Sequence, residues 1–120
     1  MPFKSFDVVK VPFPFTDKTA TKNRPALVLS SAAHFNAAIG HSVMAMITTA
    51  AQSPWPLDCP LLDLESAGLP APSLVRFKLF TLDHRLVRAT LGQLAPADQA
   101  NVRDRLQSLF ATRPDALPGP

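Results

Sequence analysis

The sequence predicts a mainly β protein with short helices (α+β), built as a small, strongly bent β-barrel with a C-terminal amphipathic helix beside it. Three observations support this fold class. Several short apolar runs are bounded by turn formers, as in barrels and sandwiches. Thirteen prolines among 120 residues argue against long helices and regular central strands. Only the C-terminal part shows an apolar stripe at helical spacing.

The N-terminal half predicts strands separated by turn-rich segments. Apolar runs indicate the strands, polar residues indicate an exposed loop, and an alanine-rich segment ending in glycine indicates a short helix. Pro12 and Pro14 interrupt ladder bonding, so the first strand ends there or runs along an edge. In order, the predicted elements are a strand over 7–13, a loop over 16–23, a strand over 25–30, a short helix over 31–40 and a strand over 42–49.

The C-terminal half predicts shorter elements and closes with the helix. Before the helix, the predicted elements are a loop over 50–56, strands over 57–62 and 73–79 with a turn over 65–72 between them, and a short strand or bend over 86–94. Pro96 suits a first helical turn, and Asp98 adds favourable negative charge there. Ala95 takes the N-cap position, where Ser, Thr or Asp would add about 1 kcal/mol. The apolar stripe of the helix consists of Val102, Leu106, Leu109 and Phe110.

Size and composition predict one domain over residues 1–112, followed by a frayed, proline-rich tail over 113–120. The single cysteine, Cys59, cannot form an internal disulfide, which favours a reducing compartment and a buried thiol. No signal-like run and no stretch of membrane-spanning length occurs. We therefore expect a cytoplasmic, soluble protein that does not enter a membrane.

Two positions on consecutive predicted strands are suited to phosphate chemistry. Arg24 stands at the mouth of one apolar run, and Thr48 stands at the end of the next strand. Such residues can converge on one pocket, where the planar guanidinium binds two phosphoryl oxygens and the hydroxyl donates to one. Read in isolation, Arg24 also fits a surface ion pair with Asp7 or Asp17, and Thr48 an ordinary strand position.

These positions belong to a longer ordered pattern. It consists of residues 6–17, Asn23–Ser30, Ile47–Thr49, Trp55–Leu57, Ala67–Pro70, Phe80–Asp83 and Leu91–Leu94. In order and spacing, over about residues 6–112, this pattern resembles the MazF/PemK family of toxin endoribonucleases. The resemblance implies an SH3-like barrel, a homodimer, single-stranded RNA as substrate, a cognate antitoxin as partner and no cofactor.

By the same resemblance, Arg24 and Thr48 match the catalytic pair of the family, with Thr49 as a second-tier candidate. Their neighbourhood is basic, although the net charge is only +3. If the fold gathers the cations, they form a face suited to phosphates; the alternative is a set of solvated charges. The candidate RNA-binding residues are Lys18, Lys22, Trp55, Arg76, Lys78 and Arg85.

Aromatic residues offer stacking surfaces for single-stranded bases. Phe15, Phe77 and Trp55 could serve in this way, but burial is favoured for Phe77 and for Phe13. Trp55, on a loop between prolines, fits burial and stacking equally well.

Other side chains do not form a recognisable catalytic or metal-binding set. The histidines lack a fixed spacing and are expected to be structural or solvated, and one cysteine cannot make a zinc cluster. Asp58, Asp63 and Glu65 occupy a strand end and a turn, so we expect no metal site. The histidines are His34, His41 and His84.

Two positions depart from the family pattern. Phe6 stands where many members have glycine before the first strand, and Phe77-Lys78 replaces an acidic-amide pair. The second departure can change which bases are accepted, because a lysine and an aspartate prefer opposite hydrogen-bonding partners.

Two other functions fit the same fold. One is a non-enzymatic toxin that poisons a protein such as DNA gyrase through its C-terminal helix, as CcdB does; the other is an SH3-like module that binds nucleic acid or peptide. Neither gives a task to Arg24 and Thr48, which therefore separate these functions from RNA cleavage.

Overall fold

One antiparallel sheet of six strands forms the body of the protein in a computed structural model that describes residues 3–13, 22–49 and 53–112. The sheet curls into a half-barrel and carries a few short helices, which confirms the predicted fold class. Its spatial strand order is β4-β5-β3-β2-β1-β6. The strands are β1 (Asp7–Phe13), β2 (Lys22–Val28), β3 (His41–Thr49), β4 (Cys59–Pro60), β5 (Ser73–Asp83) and β6 (Ala89–Gln93).

The helical elements are short except for the last. The first is a π-helical turn that continues into α1, as the alanine-rich segment predicted, and Gly40 ends it at φ 65°. The helical elements are the π turn Ala32–Asn36, α1 (Ala37–Ile39), α2 (Leu64–Ala67), the 3₁₀ turn His84–Leu86 and α3 (Pro96–Leu109).

Both faces of the central strands are buried. Along β1, Val8 joins one apolar cluster, whereas Val9 and Val11 join a second cluster. On β2, Leu27 belongs to the first cluster and Ala26 to the second. Because neighbouring residues of a strand point to opposite faces, burial of both faces requires continuous apolar runs rather than alternation.

The C-terminal helix packs on the first cluster, but only part of its predicted stripe is buried. Val102 is fully buried and Leu106 packs against the core, whereas Leu109 and Phe110 are 37% and 58% exposed. Ala95 is the N-cap and contributes no side-chain bond, as predicted. The last turn of α3 therefore presents apolar surface at the edge of the barrel.

Asp98 does more than balance the dipole of α3. Its side chain is completely buried, and its carboxylate accepts backbone N–H bonds from Leu62 at 2.9 Å and from Asp63 at 2.9 Å. These bonds satisfy a buried carboxylate that would otherwise lack partners. Asp98 thus fastens the start of α3 to the segment that precedes α2.

Several predicted boundaries were wrong. The strand expected over 57–62 is reduced to two residues of β4, and the turn expected over 65–72 contains α2. Helix α2 is held at its start by Asp63, whose side chain accepts from the Ser66 N–H at 2.9 Å. Strand β5 runs four residues beyond the predicted end, to Asp83. The predicted tail over 113–120 lies outside the described residues.

Two glycines permit a close approach between α2 and β6. A Cβ at Gly68 would overlap the backbone of Leu91, and a Cβ at Gly92 would overlap the backbone of Ser66. Gly68 also has φ 72°, which glycine adopts readily. The Ala67-Gly68 and Leu91-Gly92 pairs in the sequence pattern are thus explained by packing.

Phe6 occupies the position where the family pattern has glycine, and its backbone gives the reason for that pattern. Its φ is 74°, a conformation that is unfavourable for a bulky side chain. The ring is 7% exposed, and the Arg103 guanidinium of α3 lies 4.9 Å from its centroid. Burial and this cation–π contact offset the backbone strain, and they join the N-terminal segment to α3.

Candidate active site

A cavity of about 270 Å³ opens at one end of the sheet, where β2, β3 and β5 meet the loop before β4. Four of its lining side chains are polar and four are apolar or aromatic. The polar ones are Arg24, Thr48, Arg76 and Lys78; the others are Phe13, Met46, Ile47 and Trp55. No carboxylate belongs to this described lining.

Strand register brings Arg24 and Thr48 to the same cavity. The β2–β3 ladder runs from Val28 to its last pair, Ala26 with Met46. Arg24 and Thr48 each stand two residues beyond that pair on their own strands. Since alternate residues of a strand share a face, both side chains can point to one side. The end of the ladder between them is where the cavity opens.

The Arg24 guanidinium is exposed and forms no ion pair with any residue in the described ranges. Asp7, one of the partners considered from the sequence, instead accepts bonds from the Lys4 backbone N–H and the Gln93 side chain. Asp17, the other, lies outside the described residues. An arginine with no described carboxylate beside it is available to an anionic ligand.

Arg76 is engaged in a way the sequence did not indicate. Its Nε donates to Asp58 Oδ1 at 3.2 Å, and its Nη2 donates to Asp58 Oδ2 at 2.9 Å and to the Ser53 carbonyl at 2.6 Å. Both side chains of the ion pair are nearly buried, at 11% and 12% exposure. The hydrogen bond from Arg76 lowers the pKa of Asp58, and the same bond raises the pKa of Arg76.

This ion pair also orders the loop that carries Trp55. The Trp55 backbone N–H donates to Asp58 Oδ2 at 2.9 Å, and the Asp58 backbone N–H donates to the Trp55 carbonyl at 3.3 Å. The Arg76 guanidinium lies 5.3 Å from the centroid of the indole ring. Trp55 nevertheless remains 43% exposed. Of the two interpretations that the sequence left open, burial is wrong, and stacking on a base stays a prediction.

Lys78 adds a third cation to the cavity. It lies on β5 where the register with β3 shifts, so alternation does not decide its direction. It nevertheless lines the cavity, and its Nζ lies 6.0 Å from the centroid of the Phe13 ring. Phe77, between Arg76 and Lys78, is buried in the core as predicted. Phe13, for which burial was favoured, is only half-buried and lines the cavity.

Other predicted residues lie elsewhere. Thr49 and Lys22 are exposed and do not belong to the described cavity lining. Arg85 follows the end of β5 opposite the cavity, where it pairs with Asp83 at 2.7 Å. Lys18 and Phe15 lie outside the described residues.

The histidines are placed away from the cavity. His84 Nε2 is 2.6 Å from the hydroxyl oxygen of Ser42, which is fully buried, and His41 Nε2 is 3.8 Å from Asp83. Burial lowers the pKa of His84, and the nearby His41 lowers it further. His34 is exposed, and its backbone N–H donates to the Ser31 side chain. These positions fit the predicted structural or solvated roles.

The remaining titratable candidates are structural. Cys59 is a free, buried cysteine, and burial raises the pKa of its thiol, as expected for a small core residue. Within residues 3–13, 22–49 and 53–112, no three or more His, Cys, Asp or Glu side chains are grouped so that they could hold a metal ion. In the same ranges, no helix has the length and hydropathy to span a membrane.

The fold agrees with the comparisons. A family model described as PemK-like, MazF-like toxin of type II toxin–antitoxin systems matches residues 4–110. This chain therefore belongs to that family of toxins. No curated protein sequence matches it significantly.

Solved structures of MazF proteins are similar to this chain in fold. The MazE–MazF complex from Deinococcus radiodurans, form III, is 27% identical, with a TM-score of 0.72 over 92% of this chain and 98% of that one. MazF alone from the same organism, form I, is 25% identical, with a TM-score of 0.70 over 93% and 99%. An endoribonuclease in complex with its cognate antitoxin, from a mycobacterial species, shares the fold at 17% identity, with a TM-score of 0.72 over 98% and 99%.

Proposed function

We propose that this toxin is a metal-independent, sequence-selective endoribonuclease that cleaves single-stranded RNA, chiefly mRNA. The observation that carries the proposal is the convergence of Arg24 and Thr48 on a cavity whose described lining holds three cations and no carboxylate. Membership of the toxin family supports it, as does the similar fold of a mycobacterial endoribonuclease. An mRNA substrate places the activity in the cytoplasm.

The reaction uses a nucleophile from the substrate. The 2′-oxygen of the ribose attacks the adjacent phosphorus, forming a P–O2′ bond while the P–O5′ bond breaks. The 2′-hydroxyl loses its proton and the leaving 5′-oxygen gains one, so the products are a 2′,3′-cyclic phosphate and a 5′-hydroxyl. Because no water has to be activated for this step, stabilisation of the phosphoryl charge is the main task of the protein.

We assign Arg24 to the stabilisation of the charge on the phosphoryl oxygens. Its guanidinium stays protonated and binds two phosphoryl oxygens at once, and it is also our candidate donor to the leaving oxygen. Thr48 is assigned to positioning, since a hydroxyl can donate to a phosphoryl oxygen but is too weak an acid or base to carry protons alone. Thr49 remains a second-tier candidate.

We also propose two protein partners, a second copy of the chain and a cognate antitoxin. An apolar groove of about 340 Å³ is lined mainly by Leu29, Val43, Leu79, Leu106 and Phe110. The exposed end of α3 thus continues into a surface that a protein segment can cover. A disordered segment that is acidic and amphipathic would satisfy both this groove and the basic cavity.

The homodimer is tested by light scattering at micromolar concentration, where the dimer mass is expected. A monomer mass under the same conditions would contradict it. The solved MazE–MazF complex from Deinococcus radiodurans supports the antitoxin. For that partner, we expect a short neighbouring reading frame whose co-expression relieves growth arrest.

The experiment for the main activity is inducible expression in bacteria, followed by mapping of new RNA 5′ ends. We expect growth arrest and new ends at a short recurring sequence, and neither with an Arg24→Ala variant that folds normally by circular dichroism. Growth arrest without new RNA ends would favour the gyrase-poisoning alternative. New ends that persist in the Arg24→Ala variant would contradict the site.

A further inference from the structure

Trp55 is an exposed aromatic residue whose backbone is held in place. Its backbone N–H donates to the Asp58 carboxylate, and its carbonyl accepts from the Asp58 N–H. Arg76 of β5 donates to the Ser53 carbonyl of the same loop. A large apolar ring that is 43% exposed gains little from this arrangement in the free protein. A flat ligand that stacks on the ring would bind with little loss of conformational entropy, because the loop is already ordered.

We propose that Trp55 is the stacking platform for the base beside the scissile phosphate, and that Lys78 selects guanine at this position. The inference rests on the proposed cleavage of RNA and adds the class of nucleotide that the cavity takes. Arg76 is a positioning residue here, because its contacts hold Asp58 and the indole ring.

The platform lies close to the proposed chemistry. Trp55 and Lys78 line the same cavity as Arg24 and Thr48, and its volume of about 270 Å³ is slightly below the range of about 300–1,000 Å³ for small-ligand pockets. There is room for one nucleotide rather than several. A phosphate at Arg24 would therefore leave its neighbouring base within reach of the indole.

Stacking supplies affinity but no selection, since every base has a π-face. Selection must come from polar groups, and the charged ones in the described lining are Arg24, Arg76 and Lys78, which are hydrogen-bond donors only. Most Arg76 donors are engaged by Asp58 and Ser53, and Arg24 is assigned to the phosphate. Lys78 is then the donor left for the base edge.

A donor-only side chain prefers a base edge with acceptors. Guanine presents two adjacent acceptors, O6 and N7, and lysine is a common partner of this edge. On the corresponding edge, adenine and cytosine present an exocyclic amine, which would oppose the ammonium group, and uracil presents one acceptor, O4. The expected order at this position is guanine, then uracil, then adenine and cytosine.

The experiment uses oligonucleotides with one mapped cleavage site and different bases beside it. Inosine keeps O6 and N7 and should behave as guanine does. In 7-deazaguanine N7 is missing, and in 2-aminopurine O6 is missing, so each should lower kcat/KM about tenfold. Lys78→Met should remove these differences, while the charge-matched control Lys4→Met, on an exposed residue outside the cavity, should keep them.

A binding measurement separates this inference from the proposed function. Trp55 is the only tryptophan of the chain, so its fluorescence reports stacking of an uncleavable oligonucleotide with deoxyribose at the scissile position. We expect quenching on binding, and a dissociation constant about tenfold higher for 7-deazaguanine than for guanine. Trp55→Phe should retain part of the affinity that Trp55→Ala loses.

Each outcome is decisive. RNA cleavage without quenching, or a guanine preference that survives in Lys78→Met, would overturn the inference and leave the proposed function standing. Quenching with guanine selection, but no cleavage of any RNA, would overturn the proposed function and leave the nucleotide site standing. Equal cleavage and equal binding of all four bases would also overturn the inference.

Discussion

Two regions of the sheet, the end at His41 and Asp83 and the cavity side, carry similar residues and use them differently. At the end where His41 pairs with Asp83, the carboxylate is in contact with Arg85 at 2.7 Å and with His41 at 3.8 Å. At the other end, Arg24 and Lys78 face a cavity whose described lining contains no carboxylate. The far end compensates its charges within the protein. At the cavity end Arg76 is likewise paired with Asp58, but Arg24 and Lys78 form no ion pair with a described residue and are left for a ligand.

On this one sheet, the paired charges are therefore linked to stability and the unpaired cations to ligand binding. Charges that are paired within the fold contribute to folding or to local order. Cations gathered without such partners repel one another, which is useful only when an anion binds between them. We therefore expect substitutions at the cavity end to change RNA cleavage more than stability, and substitutions at the far end to do the reverse.

The largest effect is expected for Arg24→Ala. Removal of a group that stabilises charge in the transition state should lower kcat/KM for RNA cleavage about 10²–10³-fold or more, with little change in the melting temperature. Arg24→Lys should recover little, because an ammonium cannot reproduce the two-pronged contact. The measurement is cleavage of a fluorescent oligonucleotide.

Arg85→Ala is the matched control for Arg24→Ala, since it removes an arginine from the end of the sheet where charges are paired. Its cleavage rate should stay within about twofold of the wild-type rate, as for most surface substitutions. Equal losses in Arg24→Ala and Arg85→Ala would break the distinction between the two ends.

Thr48→Ala should have the next largest effect. Loss of one neutral hydrogen bond to a phosphoryl oxygen corresponds to about 0.5–1.5 kcal/mol, or about tenfold in rate at most. Thr48→Ser keeps the hydroxyl and should restore most of the activity. Thr49→Ala should be nearly silent because Thr49 is not part of the described cavity lining. A larger loss in Thr49→Ala than in Thr48→Ala would reverse this assignment.

Asp58→Asn should produce a smaller effect that appears in substrate binding. The substitution weakens the bonds that order the Trp55 loop, so ordering must then take place when RNA binds. KM should rise up to about tenfold, equivalent to the about 0.5–1.5 kcal/mol that ordering a side chain costs, and kcat should change little. A fall in kcat at unchanged KM would show that Asp58 affects the reacting groups instead.

The smallest effect on cleavage is expected for His84→Gln, which should instead change the pH dependence of stability. Burial lowers the pKa of His84 below its ordinary value of 6.5. The unfolded chain therefore binds the proton more readily, so this contribution to stability is complete above about pH 6.5 and declines as the pH falls below it.

His84→Gln should flatten that part of the profile, measured by urea unfolding at a series of pH values, with cleavage near neutral pH within about twofold of wild type. The test uses values above about pH 5, because the pKa values of Asp58, Asp63 and Asp83 are lowered from 3.8 and their contributions to stability are lost only below that pH. An unchanged profile in His84→Gln would contradict the assignment.

The sequence predicts the central strands and the placement of Arg24 and Thr48 better than it predicts the roles of the other basic residues. The apolar runs of β2 and β3 could be recognised because both faces of these strands are buried, and the spacing of Arg24 and Thr48 from those runs then placed them together. The basic residues could not be sorted in the same way. From charge alone, Arg76 and Arg85 are both predicted to bind RNA. Only the fold shows that each forms an ion pair with an aspartate.

The supporting contacts were missed for a physical reason. The bond between Asp58 and Arg76 joins residues 18 positions apart across a turn in which Leu57 has φ 66°. The bonds that the Leu62 and Asp63 backbone N–H groups donate to Asp98 span more than thirty positions. Such contacts depend on tertiary packing, which local periodicity does not report. The ends of helix α2, by contrast, are visible in the local sequence. Asp63 caps its N-terminus by accepting from the Ser66 N–H, and Gly68 ends it.

The central claim, that Arg24 and Thr48 act on a phosphate whose nucleophile belongs to the RNA, is tested most directly by one pair of oligonucleotides in the presence of EDTA. The two differ only in ribose or deoxyribose at the scissile position. We predict that the ribose form is cut to a 2′,3′-cyclic phosphate, and that the deoxyribose form is not cut although it binds with a similar dissociation constant. Cleavage of the deoxyribose form, or loss of all cleavage in EDTA, would contradict the account.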